Sequence, residues 1–438
     1  MSDGQSVCIL WDASHIWGLM AWRAVRALGL HCRLVKGQDI AEGGILGKST
    51  KSARNEAALL LVPGGNARHK AQALGADGRE AVRRWLAAGN FYLGFCGGAG
   101  LALTHPNAED GLNICPWSRA PYPQRLYHLI SGHVRARVTE GLTFSPEPLS
   151  CQSSDGLYAL PVWWPGQFAP QEVTDVQILA VGQCPDRDFW LADLPLSKLP
   201  GNAIAHWQSL YGINVSADFL EGRPLVISGS YGLGRYVLSY SHLETPNSPD
   251  ANAWLARLLS RMACLDPGER VVPLWQLRHP NNAWPRCRER LPLQDALRHM
   301  RDLLDLAVEH HLFFARTHWL WGWRTSMPGA GCNNLHAALC TALELEPTPA
   351  ALTWWRSVCG RFAALEHIFA AGAEDHVLAC RLAESLSPTL PGAVDRRWLE
   401  HQRASLFGHP MYGGGILEEL LGMIEEVIYL AQDHAQPL

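Results

Sequence analysis

One cysteine stands inside a tight, glycine-rich segment early in the chain. Residues 92–102 read YLGFCGGAGLA, in which an apolar run leads into Cys96 and small residues follow it. A strand, a sharp turn and a helix form a nucleophile elbow. The turn exposes the thiol, and N–H groups at the helix start favour a thiolate and supply an oxyanion donor. Gly94 and Gly98 allow close backbone approach. The competing interpretation is that Cys96 has no chemical role and only fills space in a βα turn.

An imidazole and a carboxylate close a β-rich run much later. Acyl chemistry by a thiolate needs a base, and the base needs an orienting group. The stretch RYVLSYSHLET contains His242 and Glu244, whose i, i+2 spacing puts both side chains on one face of an extended segment. The carboxylate can then hold the imidazole in one tautomer. These residue types predict a Cys96–His242–Glu244 constellation, although a single histidine is more often structural.

Alternating strands and helices position the cysteine within the first 105 residues. Apolar and periodic runs predict strands at 6–11, 31–36, 57–62 and 90–95 and helices at 15–30 and 78–89. This alternation indicates a parallel sheet with helices on both faces. From about 113 to 242 the pattern is β-rich. Ser248 and Pro249 then open a helix by N-cap and N1 chemistry.

The chain divides into three regions by composition and periodicity. Residues 1–265 form the α/β domain, 266–290 are a Pro- and Arg-rich linker or strap, and 291–438 form an all-α domain. The role of the helical domain is not indicated by any motif. Its helical runs are expected near 293–320, 333–345, 349–372, 374–387, 394–406 and 413–433.

Several motifs together resemble a known superfamily. Gly94-Phe95-Cys96-Gly97-Gly98, the turn Val62-Pro63-Gly64-Gly65 and His242-Leu243-Glu244 resemble the class I glutamine amidotransferase-like superfamily. Within it, the elbow, the strip VWWPGQF (162–168) and GSYGLGRYVLSYSHLE are most similar to the N-terminal domain of eukaryotic-type biotin–protein ligases. The resemblance covers roughly residues 5–264.

The resemblance implies a fold and roles for particular residues. It implies a parallel-sheet, flavodoxin-like, class I glutamine amidotransferase-like domain followed by the helical domain. Cys96 becomes the nucleophile, His242 its base and Glu244 the orienting acid. The N–H of Gly97 and an N–H of the Gly64–Gly65 turn become the oxyanion hole.

Departures from the family pattern narrow the chemistry. Glutaminases of the superfamily carry Gln or Met four residues after the cysteine, where this chain has Gly100, which argues against glutamine as substrate. The chaperone and protease branch places His directly after the cysteine, where Gly97 stands here. The biotin-transferring domain and its Gly-Arg-Gly-Arg-type loop are missing, so we expect no biotin ligation by this chain alone.

Six further residues are candidates for lining the pocket. Asp12 and His15 follow the first predicted strand, at the sheet edge where ligands bind. Asp12 or Ser14 is alternatively an N-cap of the next helix, and Arg68 is alternatively a surface residue. The candidate lining residues are Asp12, His15, Asn66, Arg68, Trp164 and Gln167.

Composition excludes several classes of partner. The 438 residues carry a net charge of −4 and are 47% hydrophobic and 18% charged, which indicates an ordinary globular protein without a nucleic-acid surface. The chain has no signal-peptide pattern and no run of the roughly 18 apolar residues that a membrane span needs. We therefore expect a cytoplasmic protein.

Its twelve scattered cysteines are expected to be free. Histidines beyond residue 290 lack Glu-x-x-His spacing, so no metal and no cofactor is expected.

Two functions of different classes fit these patterns. The first is a cysteine-dependent amidohydrolase or amidotransferase-like enzyme that acts on a carboxamide or related acyl substrate, with any acceptor domain on a separate protein. The second is a non-catalytic, small-molecule-binding or regulatory module whose helical region serves for interaction or homo-oligomerisation. Retention of Cys96, His242 and Glu244 favours the first, and the glycine at position 100 favours the second.

Overall fold

The computed structural model of the chain contains two compact units, Met1–Pro273 and Leu274–Gln436. Each unit has its own set of buried apolar side chains. The structure describes residues 7–43, 58–121, 130–146, 156–172, 175–212, 217–264, 266–268, 271–278, 281–317, 320–323, 328–409 and 413–432.

Strands and helices alternate in the first unit up to about residue 104, and strands then dominate. Its strands are β1 (Val7–Leu10), β2 (Cys32–Val35), β3 (Leu59–Val62), β4 (Phe91–Phe95), β5 (Leu103–Thr104), β6 (Cys115–Arg119), β7 (Ile130–Val138), β8 (Tyr158–Trp163), β9 (Phe168–Ala169), β10 (Gln177–Pro185), β11 (Trp190–Leu191), β12 (Leu194–Pro195), β13 (Pro224–Tyr231) and β14 (Gly234–Ser239). Its helices are α1 (Ile16–Ala27), α2 (Gly37–Ala41), α3 (Ala67–Ala87), α4 (Gly97–Ala102), α5 (Ala203–Tyr211) and α6 (Pro249–Ala263).

One large sheet organises this unit. Its strand order is β12-β11-β7-β10-β13-β14-β4-β3-β1-β2, with β8 paired to β7. The five strands from β14 to β2 pair in parallel, whereas the strands from β12 to β13 pair antiparallel. The predicted α/β architecture with parallel strands is confirmed in this part of the sheet.

Parallel pairing explains how distant residues meet. Strands β3, β4 and β14 are neighbours, and Val62 pairs with Gly94 while Ser239 pairs with Phe95. Because parallel strands end at the same edge of a sheet, the segments that follow them lie side by side. Those segments contain the Gly64–Gly65 turn, Cys96 and His242. β1 and β3 are buried at every residue, as expected for strands covered on both faces.

One helix cap and one helix start differ from the sequence prediction. Helix α1 begins after His15, so neither Asp12 nor Ser14 is its N-cap. That alternative was wrong because the side chains of Asp12 and Ser14 bond elsewhere. Helix α3 begins at Ala67, earlier than the predicted 78–89, and Gly75 interrupts it with a φ of 62°.

The second unit is mainly helical. Residues 274–290 belong to it, and Trp284 within them is buried and donates to the carbonyl of Ala342 at 2.8 Å. Its helices are α7 (Leu291–Glu309), α8 (Pro328–Glu344), α9 (Pro349–Leu386), α10 (Arg396–Phe407) and α11 (Gly415–Ala431). Although α9 has 38 residues, no helix within the described ranges is apolar enough over sufficient length to cross a membrane.

A hairpin corrects the prediction that everything beyond residue 290 is helical. The run predicted at 293–320 ends as a helix at Glu309, and His311 then takes a φ of 60°. Strands β15 (Phe313–Ala315) and β16 (Trp321–Trp323) follow and pair antiparallel. Aromatic residues favour strands. The predicted runs 349–372 and 374–387 are one helix, α9.

Candidate functional site

Cys96 lies on a strained turn between β4 and α4. Its φ and ψ are 46° and −102°, a conformation that non-glycine residues rarely adopt and that occurs at nucleophile elbows. Its N–H donates to the carbonyl of Ser239 at 2.7 Å, and its carbonyl accepts from Gly100 at 2.9 Å. The side chain is only half-buried, so the thiol is not sealed in the core.

Glycines behind the elbow allow three segments to touch. A side-chain carbon on Gly97 would collide with the carbonyl of Gly65, and one on Gly98 would collide with that of Val62. Gly65 has a φ of 111° and itself lies against the carbonyl of Ala13. The structure thus brings the Gly64–Gly65 turn into close backbone contact with Gly97.

The imidazole of His242 is tied to Glu244. Its Nδ1 lies 2.7 Å from Oε1 of Glu244, and both side chains have 0% exposure. The N–H of His242 donates to the carbonyl of Pro161 at 2.8 Å, which fixes the segment after β14 to β8. With Nδ1 engaged by the carboxylate, Nε2 is the nitrogen available to a reacting group.

Electrostatics favour the protonated imidazole. Burial acts to lower the pKa of His242, but the Glu244 carboxylate and the neighbouring Cys96 side chain outweigh it and raise the pKa to about 10. Nε2 is buried and has no hydrogen-bond partner among the described residues. An imidazolium with one free N–H beside a thiol is the arrangement of a cysteine nucleophile and its proton donor.

Three tryptophans surround this pair. The ring of Trp17 stacks on His242 at 4.6 Å between centroids, with an angle of 35° between the planes. The carbonyl oxygen of Trp163 lies 4.0 Å from Cys96 Sγ. Trp164 meets Trp17 edge-on at 6.0 Å and has a φ of 51°. Sequence reasoning missed Trp17, because a tryptophan on an amphipathic helix is typical of a core residue.

Asp12, His15 and Asn66 have structural duties at the sheet edge. Oδ2 of Asp12 accepts from the N–H of Gly37 at 2.5 Å, and burial raises the pKa of Asp12. His15 is the N-cap residue of α1, with a φ of 50°. Asn66 caps α3 by accepting from the N–H of Arg68 at 3.0 Å. These contacts shape the loops next to the elbow.

The other three candidates differ in their surroundings. The side chain of Arg68 is 56% exposed and pairs with Asp110 at 3.3 Å, as in the surface interpretation. Gln167 donates to the carbonyl of Phe219. Trp164 is half-buried and belongs to the tryptophan group beside His242.

A second chain of nucleophile, imidazole and acid lies elsewhere in the first unit. Oγ of Ser248 lies 3.0 Å from Nε2 of His133, and Nδ1 of His133 lies 2.7 Å from Oδ2 of Asp188. Ser248 precedes α6 as predicted, but its side chain does not cap that helix. Ser248 is buried, whereas the side chain of Asp188 is 55% exposed.

The site contains neither a metal cluster nor a disulfide among its described residues. No group of three His, Cys, Asp or Glu side chains within the described ranges could hold a metal ion. The described cysteines are free. The site as built therefore consists of a thiol, an imidazole, a carboxylate, backbone N–H groups and indole rings.

Comparisons with known proteins give only a weak likeness in fold. The sequence matches no protein-family model, and it matches no curated protein. PurLQS from Thermotoga maritima is similar at 12% identity and a TM-score of 0.36, over 59% of this chain and 98% of that chain. A putative GMP synthase subunit from Thermoplasma acidophilum is similar at 13% and 0.35, over 60% and 95%. A putative ThuA-like protein from Bacteroides uniformis is similar at 11% and 0.36, over 61% and 95%. At these TM-scores the likeness carries no argument about function, which rests on the geometry above.

Proposed function

We propose that the first unit is a cysteine-dependent amidohydrolase or amidotransferase-like enzyme with a Cys96–His242–Glu244 triad. One observation carries this proposal. The His242–Glu244 pair is fully buried at 2.7 Å, and its remaining nitrogen stands beside the thiol of a strained elbow. Burying a charged pair costs free energy, so a chain that keeps one next to a half-exposed thiol is consistent with a catalytic use.

The proposed reaction runs through a thioester. The Cys96 thiolate attacks the carbonyl carbon of a carboxamide and forms an Sγ–C bond. The resulting oxyanion lies against the N–H groups of Gly97 and the Gly64–Gly65 turn. Collapse breaks the C–N bond, and the proton on His242 Nε2 leaves with the amine.

The second half-reaction restores the enzyme. Water, or an acceptor amine supplied by a separate protein, adds to the thioester carbon and gives a proton to His242. The C–S bond then breaks, and Cys96 leaves as the thiolate. Glu244 holds Nδ1 throughout, so that Nε2 alone exchanges protons.

We propose the finer assignment of family on the same residues. A flavodoxin-like, class I glutamine amidotransferase-like domain, with the N-terminal domain of biotin–protein ligases as its nearest type, is supported by the elbow, the Gly64–Gly65 turn and the position of His242 at one sheet edge. The five parallel strands from β14 to β2 support it as well.

Site-resolved alkylation tests the proposal. Limiting iodoacetamide at pH 7 is added to the folded protein, and peptide masses give the rate at each cysteine. Cys184 is exposed and serves as the internal control. Cys96 should react up to about 30-fold faster, because an ordinary thiol is only a few per cent thiolate at this pH. His242→Ala should remove the advantage.

The opposite outcome is equally clear. If Cys96 reacts no faster than Cys184 in the unaltered protein, the thiol is not activated and the catalytic proposal fails. The non-catalytic binding module would then account for the geometry of the pocket without chemistry. A circular dichroism spectrum of His242→Ala that matches the unaltered protein shows that lost reactivity is not lost folding.

A further inference from the structure

We infer that the tryptophans beside Cys96 form a subsite for a planar aromatic ring, so that the substrate class is carboxamides that carry an aromatic group. This inference rests on the proposed function, because it names the substrate of the same site. The subsite consists of Trp17 and Trp164, with Trp163 behind them.

Position is the first argument. The Trp163 carbonyl lies 4.0 Å from Cys96 Sγ, and Trp164 is the next residue in the chain. Trp17 covers the imidazole of His242 at 4.6 Å and meets Trp164 edge-on at an interplanar angle of 86°. Both residues are half-buried, so neither is sealed in the core. Two indoles at right angles offer a face and an edge, the two contacts that another aromatic ring prefers.

Backbone strain is the second argument. A bulky residue with a positive φ is an outlier, and Trp164 has a φ of 51°. Glycine or asparagine at this position would close the turn with less strain. Nine non-glycine residues within the described ranges have a positive φ, and three of them, Trp164, Cys96 (46°) and His15 (50°), lie at this sheet edge. Strain of this kind concentrates at functional sites.

Charge decides between an aromatic and a cationic ligand. Indole faces also attract cations, and a cation site gains from a free carboxylate. Neither nearby carboxylate is presented to a ligand in this way: Glu244 has 0% exposure and its Oε1 holds His242, and Oδ2 of Asp12 accepts from the N–H of Gly37. A neutral planar ring suits these surroundings best.

Matched alkylating reagents test the inference. N-benzyl chloroacetamide and N-(cyclohexylmethyl) chloroacetamide have similar size, but only the first is planar and aromatic. Labelling of Cys96 is measured for each reagent and divided by labelling of Cys184 in the same sample. The benzyl reagent should be favoured about fivefold at Cys96, the effect expected of one additional aromatic pair.

Variants locate the preference. Trp164→Asn removes the ring and introduces a residue that tolerates this backbone conformation, so this variant should lose the preference for the benzyl reagent. Trp164→Phe should retain the preference. Trp398, exposed on α10, is the matched control: Trp398→Phe should change nothing. If Trp164→Asn melts early, Trp17→Leu tests the other ring of the same pair.

Each other outcome overturns the inference. Equal labelling of Cys96 by both reagents, both faster than Cys184, rejects the aromatic subsite and leaves the enzyme proposal standing. Labelling of Cys96 no faster than Cys184 with either reagent rejects the enzyme proposal. A preference that survives in both Trp164→Asn and Trp17→Leu places the ring elsewhere. If a trimethylammonium chloroacetamide labels Cys96 faster than the benzyl reagent does, the subsite binds a cation rather than a neutral ring.

Discussion

Two regions of the first unit contain a nucleophile, an imidazole and a carboxylate in the same order. At Cys96–His242–Glu244 the distance from acid to imidazole is 2.7 Å, and at Ser248–His133–Asp188 it is also 2.7 Å. The two groups differ in which members are buried. In the first the acid and imidazole have 0% exposure and the thiol is half-buried, whereas in the second the acid is 55% exposed and Ser248 is 1% exposed.

The comparison teaches that distances alone do not define a catalytic site. A nucleophile must be reachable, and its acid must sit in a low dielectric, where its charge acts strongly on the imidazole. Cys96 and Glu244 satisfy both conditions. Ser248 instead bonds the start of α6 to His133. Solvent weakens the electrostatic effect of Asp188 on His133. The first arrangement suits chemistry, and the second suits structural support.

The largest expected difference concerns activity. Cys96→Ala should lower ammonia release from phenylacetamide, a primary amide that carries a benzyl group, by roughly 10³-fold or more, because the covalent step is lost. Ser248→Ala should leave the rate unchanged. A colorimetric ammonia assay measures both variants. Equal loss in the two would erase the distinction between the two regions.

The next difference concerns stability. Glu244→Gln removes one charge of a fully buried pair and should lower the free energy of unfolding by about 3 kcal/mol. Asp188→Asn acts on a largely exposed pair and should cost less than about 1 kcal/mol. Urea titrations followed by circular dichroism measure both. Similar costs for the two would show that burial does not separate the pairs.

A third difference concerns pH. The pKa of His242 is raised from 6.5 to about 10, so its stabilising effect is complete below about pH 6.5 and is lost as the pH rises through about 10. The free energy of unfolding should therefore fall over this window, and His242→Gln should flatten the fall. Asp188 behaves oppositely: its pKa is lowered, chiefly by His133 and against the effect of burial, so its contribution disappears in acid. A fall that is equally steep in His242→Gln would contradict the assignment.

The remaining difference concerns Ser248 itself, where the expected effect is small. Ser248→Ala removes one hydrogen bond to His133 and should cost about 1 kcal/mol in urea unfolding. A fluorophosphonate probe should leave Ser248 unlabelled in the unaltered protein, because its hydroxyl is buried. Labelling of Ser248 would make the second region a reactive site as well.

Local patterns predicted the parts of the site that depend on neighbouring residues. The elbow at Cys96 and the His242–Glu244 spacing can be recognised because strand, turn and i, i+2 geometry involve few residues. The stacking of Trp17 on His242 joins residues more than two hundred positions apart. Sequence spacing does not encode such a contact when the residue type is equally suited to a core.

Other errors have equally physical causes. Asp12 has the chemistry of an N-cap, but its carboxylate is engaged by Gly37 across the sheet edge. The hairpin of β15 and β16 follows a strongly periodic helix. The chain changes direction at His311, where no glycine in the sequence indicates a turn. Ser248, His133 and Asp188 come from three separate segments, and none of their local patterns indicates the others.

The tight backbone contacts behind the elbow limit how this protein can be engineered. Even alanine at position 97 or 98 would meet a carbonyl oxygen, so variant libraries should leave both unchanged. Among the described residues, a carbon added at Gly100 would meet Cβ of Ala67, at an ordinary 3.5 Å. Directed evolution of this site should therefore begin at position 100, one helical turn beyond Cys96.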